Sequence, residues 1–253
     1  MYLTSIHRFK ANNMEQPILN VFEDVQELLN SLATLLTKTA NEAIDEKGEF
    51  TLCLSGGSSP KKLYKLLASE KFRNEVDWNK VYFFLSDERY VPVTNTDSNA
   101  LMAKNTLFEP LGISKNHIFT VDTALMPEAA ARDYHRKIKS HFGSGVIQFD
   151  FILLGLGDDV HTASLFPYSY VLTENEPTVK AVFVEGLQTY RITFTASLIN
   201  QANTIAFLVY GEDKAKAVAH ALGKKKDFEK YPAQLIRPEH GTVYWFLDEK
   251  AAN

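Results

Sequence analysis

The chain has 253 residues, 45% of them hydrophobic and 23% charged, with 12 Gly and 9 Pro, a composition that excludes a disordered or collagen-like protein. Its 27 basic and 31 acidic residues leave a net charge of −4, so no global field draws it to nucleic acid or an anionic membrane, and an anionic substrate must be held by local cations. The single cysteine, Cys53, cannot close an internal disulfide, the start of the chain lacks a signal-peptide core, and no apolar run approaches a membrane span. A cytoplasmic location follows as the expectation.

After a short polar start, Ile18–Phe22 reads as a strand. Val25, Leu28, Leu29, Leu32, Leu35 and Leu36 then recur at helical spacing. Phe50–Leu54 is a second apolar run; it ends in Ser55-Gly56-Gly57-Ser58-Ser59-Pro60, where proline suits the first turn of a helix carrying Leu63, Leu66 and Leu67. Val81–Leu85 is a third strand, followed by Ser86-Asp87-Glu88-Arg89 and a helical pattern over 99–108. Pro127–Phe142 reads as a helix, and 149–154 as a buried strand ending in Gly155-Leu156-Gly157-Asp158-Asp159-Val160-His161. Val179–Val184, 191–195 and 204–210 are further strands, the last running into Gly211-Glu212-Asp213 and a helix over 214–222; residues 243–247 form a closing strand.

Strands that are apolar on both faces and alternate with helices predict an α/β fold with a largely parallel sheet covered on both sides. With no internal repeat, low-complexity tract or linker, residues 1–253 read as one domain. In open sheets of this kind ligands bind beyond the carboxyl ends of the strands. Four polar segments fall at such ends: 55–60, 86–89, 155–161 and 211–214.

The Ser55-Gly56-Gly57-Ser58 turn offers unhindered N–H groups at the mouth of a helix, which suits a phosphate or carboxylate; a plain strand-to-helix turn would read the same way. It lacks the Gly-Lys-Ser/Thr of a nucleotide phosphate loop, and the chain has no Gly-x-Ser-x-Gly of a serine hydrolase. Gly155-x-Gly157-x-x-Val160 lacks the third glycine of a dinucleotide fingerprint. What remains there is an acid beside a histidine, a pair that serves either proton transfer near neutral pH or a structural hydrogen bond. The other histidines, His7, His117, His135, His141, His220 and His240, form no ligand cluster, so no metal is expected. Cys53, within an apolar strand, reads as core.

Taken together, Leu54-Ser55-Gly56-Gly57-Ser58-Ser59-Pro60, Ser86-Asp87-Glu88-Arg89-Tyr90-Val91-Pro92 with Asp97-Ser98-Asn99, and Asp159-x-His161-Thr162-Ala163-Ser164-Leu165-Phe166-Pro167 resemble the 6-phosphogluconolactonase family in order and spacing. Arg191-Ile192-Thr193, Gly211-Glu212-x-Lys214-Ala215 and the stretch from Pro232-Ala233 to Trp245-Phe246-Leu247-Asp248 extend the likeness over nearly the whole chain. The resemblance implies a Rossmann-like fold shared with glucosamine-6-phosphate deaminases. It also implies a carboxylic ester hydrolase that opens 6-phospho-D-glucono-1,5-lactone to 6-phosphogluconate in the oxidative pentose phosphate pathway, without cofactor or metal.

Within that frame His161 is the expected general base on water and Asp159 its orienter. Ser55 and the Gly56 and Gly57 amides, with Arg191 and Lys214, form the expected phosphate grip, and Arg89, positioned by Asp87 and Glu88, reaches phosphate or sugar hydroxyls. The alternatives are a sugar-phosphate isomerase or deaminase of the same superfamily and a non-catalytic sugar-phosphate sensor. Oligomeric state is not legible.

Two departures from the family stand out. Val160 replaces the glycine usual between the acid and the histidine, and Leu187-Gln188-Thr189-Tyr190 replaces a Lys-Pro pair before the Arg-Ile-Thr strand. Because valine resists positive φ, the expectation is a loop that keeps its aim with Val160 at φ < 0; a positive φ there would mark an impaired site.

Overall fold

The computed structural model describes residues 16–253; the polar start of the chain and His7 lie outside them. Nine strands are seen among the described residues: β1 (Ile18–Phe22), β2 (Phe50–Leu54), β3 (Val81–Leu85), β4 (Asp87–Arg89), β5 (Phe151–Leu154), β6 (Val179–Val184), β7 (Thr189–Phe194), β8 (Thr204–Val209) and β9 (Thr242–Asp248). The helices are α1 (Val25–Lys47), α2 (Ser58–Leu67), α3 (Asn99–Ala103), α4 (Glu109–Leu111), α5 (Pro127–Phe142), α6 (Ala196–Ile199), α7 (Ala215–Leu222) and α8 (Glu249–Ala252). A π-helical turn, Lys104–Phe108, joins α3 to α4, so the helical pattern over 99–108 is a composite.

Six strands form a parallel sheet in the order β1-β9-β8-β5-β2-β3. Successive strand residues feed two cores, as the two-sided apolar runs require. Leu52, Leu54, Phe151, Leu153, Ala206 and Leu208 pack with Leu28 and Leu32 of α1 and Leu63 and Leu67 of α2. Cys53, Ile152, Leu154, Ile205 and Phe207 face the other way, towards Tyr134 and Ile138 of α5 and Ala217 and Val218 of α7.

Strands β6 and β7 lie outside the parallel sheet. They pair antiparallel with each other and with β4 in a separate sheet, ordered β4-β7-β6. The four-residue connection from Val184 to Thr189 is too short for the crossover that a parallel pair demands. It closes through a 3₁₀ turn, Glu185–Leu187, and Gln188 in the left-handed region.

The strands β8, β5, β2 and β3 are neighbours, so their carboxyl ends share one edge of the sheet. The chain passes from β2 to β3 on one side and reaches β5 on the other, which makes the gap between β2 and β5 the topological switch point where a crevice opens.

Candidate active site

A cleft of about 360 Å³ lies at that edge, and all four polar strand ends contribute to its wall. Ser55, Gly56, Gly57, Arg89, His161, Arg191 and Lys214 all line it; Asp159 supports His161 from behind.

Three loops build the reactive side. After β5 the chain turns tightly, with the Gly157 N–H donating to the His161 carbonyl at 2.9 Å and the Val160 N–H to the Gly157 carbonyl at 3.0 Å. Asp159 Oδ1 then accepts from both the His161 main-chain N–H, at 3.2 Å, and its Nδ1, at 2.5 Å. A carboxylate accepts, so the proton sits on Nδ1 and Nε2 is the basic nitrogen. Burial raises the Asp159 carboxyl, but the hydrogen bond and charge of His161 outweigh it and leave the group below its ordinary value. The imidazole lies 4.3 Å from the Phe166 ring centroid and directly over Gly157: a Cβ there would stand 2.1 Å from His161 Nδ1. Gly157 is glycine because the ring needs that space.

Val160 overturns the φ < 0 expectation. It sits at φ 67°, in the left-handed region that favours glycine. Its side chain is 2% exposed within the core and its carbonyl accepts from Ala233 N–H at 3.0 Å, so the conformation is held from outside the loop. The expectation that a positive φ marks an impaired site is not matched by the geometry around it, because the His161–Asp159 contact is formed within the strained loop.

The opposite wall is cationic. β4 and β7 place Arg89 directly across from Arg191. Arg89 Nη1 donates to the Asp97 carbonyl at 2.6 Å, and neither guanidinium has a carboxylate within 4 Å among the described residues. Burial, followed by the nearby Arg89 charge, depresses the Arg191 guanidinium. Asp87, Glu88 and Asp97 act on Arg191 from further off; two adjacent arginines with no direct ion-pair partner among the described residues favour a doubly charged anion. Nearby, α2 begins at Ser58 with Gly57 as its cap at φ 105° and no side chain on its first-turn amides.

Lys214 follows Gly211 at the end of β8 and lines the cleft, but its Nζ is paired with Asp158 Oδ1 at 2.5 Å. It therefore stands in the cleft as half of an ion pair. The expectation that Asp87 and Glu88 position the Arg89 side chain also needs correction, since the Asp97 carbonyl does so. Glu88 is buried and caps α3, accepting from the Asn99 and Ala100 N–H groups at 2.7 and 2.9 Å; burial pushes its carboxyl up. Asp87 Oδ2 accepts from Ser164 Oγ at 2.6 Å in the cleft floor.

The comparisons with known proteins decide the family. The model described as glucosamine-6-phosphate isomerases/6-phosphogluconolactonase matches residues 23–245. A 6-phosphogluconolactonase from Synechocystis is 37% identical over 239 residues, covering 93% of this chain and 97% of that protein. The chain belongs to this family. Among solved structures, the 6-phosphogluconolactonases from Leishmania guyanensis and Trypanosoma brucei superpose with TM-scores of 0.83 and 0.82 at 26% and 29% identity; each match covers 94% of this chain and 98% of the other.

For a member of the 6-phosphogluconolactonase family, the sequence reading missed two cleft residues that it quoted only within motifs. Asn99, 1% exposed, donates from Nδ2 to the Asp87 carbonyl at 2.9 Å and lies against Gly56, where a Cβ would meet its Oδ1 at 2.0 Å. Ser164 bridges Asp87 and Thr193, its N–H donating to Thr193 Oγ1 at 3.1 Å. The only sequence signal for Asn99 is its place beside the helix-capping Ser98. Leu187, in the second departure, lines the cleft without supplying charge.

Proposed function

We infer that this chain hydrolyses 6-phospho-D-glucono-1,5-lactone to 6-phosphogluconate in the oxidative pentose phosphate pathway, as a cytoplasmic enzyme. The observation that carries the reading is the pairing, within one cleft, of a carboxylate-oriented histidine with two adjacent arginines that have no direct ion-pair partner among the described residues, beside an open helix start. A lactone carbonyl is already electrophilic and needs only an activated water, together with a grip that orients the ring.

In this mechanism His161 Nε2 takes a proton from water as the oxygen attacks C1 of the lactone. The tetrahedral intermediate then collapses, breaking the bond from C1 to the ring oxygen, and that oxygen receives the proton back from His161. Asp159 stabilises the imidazolium between the two transfers. Arg89, Arg191 and the amides of Gly56 and Gly57 hold the phosphate, with Ser55 beside them; binding at this remote group holds C1 in place for attack. Lys214 joins the grip by exchanging Asp158 for phosphate.

The test is hydrolysis of freshly generated lactone measured against its spontaneous rate. His161→Ala, folded, should lower kcat by about 10²- to 10⁴-fold, and the unphosphorylated lactone should be a much poorer substrate. Wild-type turnover by the His161→Ala protein would remove the base. Turnover of glucosamine 6-phosphate in place of the lactone would replace the reading by the isomerase one.

A further inference from the structure

The loop that carries His161 contains three non-glycine residues in the left-handed region: Val160 at φ 67°, Ala163 at φ 48° and Tyr168 at φ 60°. A Cβ makes this region unfavourable, most of all when it is branched. The loop therefore does not take this shape from its own propensities; surrounding structure must over-determine it.

Ser164 within the loop is tied to Thr193 and Asp87, but the main-chain contacts at Val160 and Tyr168 themselves come from one stretch of chain, residues 227–237. The Ala233 N–H donates to the Val160 carbonyl at 3.0 Å, and the Tyr168 N–H donates to the Glu229 carbonyl at 2.9 Å. These two bonds grip the loop on either side of His161. The gripping stretch has one 3₁₀ turn of its own, Pro232–Leu235, yet it is firmly tied. Buried Gln234 accepts from the Asp227 N–H at 2.9 Å and donates through Nε2 to the carbonyls of His220, at 2.8 Å, and Lys225, at 3.1 Å. His220 lies in the last turn of α7, and its ring stacks on Tyr231 with centroids 4.4 Å apart. Every polar atom of the Gln234 side chain is thus engaged, in a donor and acceptor pattern that neither Glu nor Leu reproduces.

We propose that Gln234 is a positioning residue for the hydrolysis assigned above, on which this inference rests. Its amide locks residues 227–237 to α7, that stretch holds Val160 left-handed, and the Val160 backbone sets the aim of the neighbouring His161. Gln234 lines no part of the cleft, so it acts only through these main-chain contacts.

The experiment combines Gln234→Leu and Gln234→Glu, each with and without Val160→Gly. It reads kcat and KM separately, thermal unfolding, and amide exchange at Tyr168 and Ala233. Gln234→Leu should lower kcat by about tenfold to a hundredfold, the size expected when a reacting group is misplaced, with KM nearly unchanged because the arginine wall is untouched. Adding Val160→Gly should remove most of that loss, since glycine holds a positive φ without help. Gln234→Glu keeps the acceptor for Asp227 and should fall between. Exchange at Tyr168 should quicken in both Gln234 variants. A merely structural role would lower the unfolding temperature without splitting kcat from KM, and the loss would be equal with and without Val160→Gly; either pattern overturns the proposal. If Gln234→Leu does not fold, Gln234→Glu carries the test, and unchanged kcat with unchanged Tyr168 exchange overturns it. A wild-type protein with no rate above spontaneous hydrolysis overturns the functional reading instead, and the amide exchange data then decide the loop grip alone.

Discussion

Replacing Val160 by alanine and by glycine separates backbone strain from side-chain packing. The valine side chain is 2% exposed, so Val160→Ala removes two buried methyl groups, about 1.6 kcal/mol at about 0.8 kcal/mol each, and leaves a Cβ at φ 67°. Val160→Gly removes one more carbon, about 0.8 kcal/mol, and adds unfolded-chain freedom of about 0.5–1 kcal/mol. It also relieves a left-handed penalty of about 1–2 kcal/mol. These terms cancel, so the two variants should unfold within about 0.5 kcal/mol of each other. At negative φ the relief vanishes, and alanine should be the more stable by about 1.5 kcal/mol. Urea denaturation with linear extrapolation measures the difference directly. An alanine variant more stable than the glycine variant by over about 1 kcal/mol would refute the left-handed assignment and the strain argument built on it. In activity, Val160→Gly keeps the same φ and should hold kcat/KM within about tenfold of wild type.

Other perturbations probe the rest of the cleft. Gly157→Ala places a Cβ 2.1 Å from His161 Nδ1, so the ring must swing away and kcat should drop by about a hundredfold; steady-state kinetics showing wild-type kcat would mean that this ring position is not the working one. Arg191→Ala and Arg89→Ala should each shrink the preference for phosphorylated over unphosphorylated lactone, by about tenfold or more in the ratio of kcat/KM values, and an unchanged ratio would take that arginine out of the grip. The Asp159 carboxyl is depressed in the folded protein, so its contribution to stability is present above the unfolded value of about 3.9 and is lost as pH falls through the lower folded value. The gap in urea midpoint between wild type and Asp159→Asn should therefore persist from about pH 7 to about pH 5 and close only below about pH 4; a gap that fades by about pH 5 would contradict the pairing.

Much of the scaffold is legible from local chemistry. The apolar runs of β2, β3, β5 and β8, their abrupt polar ends and the periodicity of α1 depend on neighbouring residues, and those residues are adjacent in the chain. That four such ends share one edge follows from parallel topology, so Ser55, Gly56, Gly57, Arg89, His161 and Lys214 could be assigned to one cleft from their positions at strand ends, whereas Arg191, inside β7, was implied only by the family resemblance. Partner choice could not. The antiparallel pairing of β4 with β7, which sets Arg89 beside Arg191, joins segments about a hundred residues apart. Lys214 is claimed by Asp158 and Gly56 is covered by Asn99 through contacts that also join segments distant in the chain. Val160 marks the boundary most sharply. Its own side chain argues for negative φ, and sequence reasoning followed that local preference. Burial of its isopropyl group and the Ala233 hydrogen bond, both supplied by distant parts of the chain, hold it at positive φ. Local sequence determined where strands end and which chemistry they present; tertiary packing decided the partners and backbone angles, because only distant contacts can oppose a local preference of one or two kcal/mol.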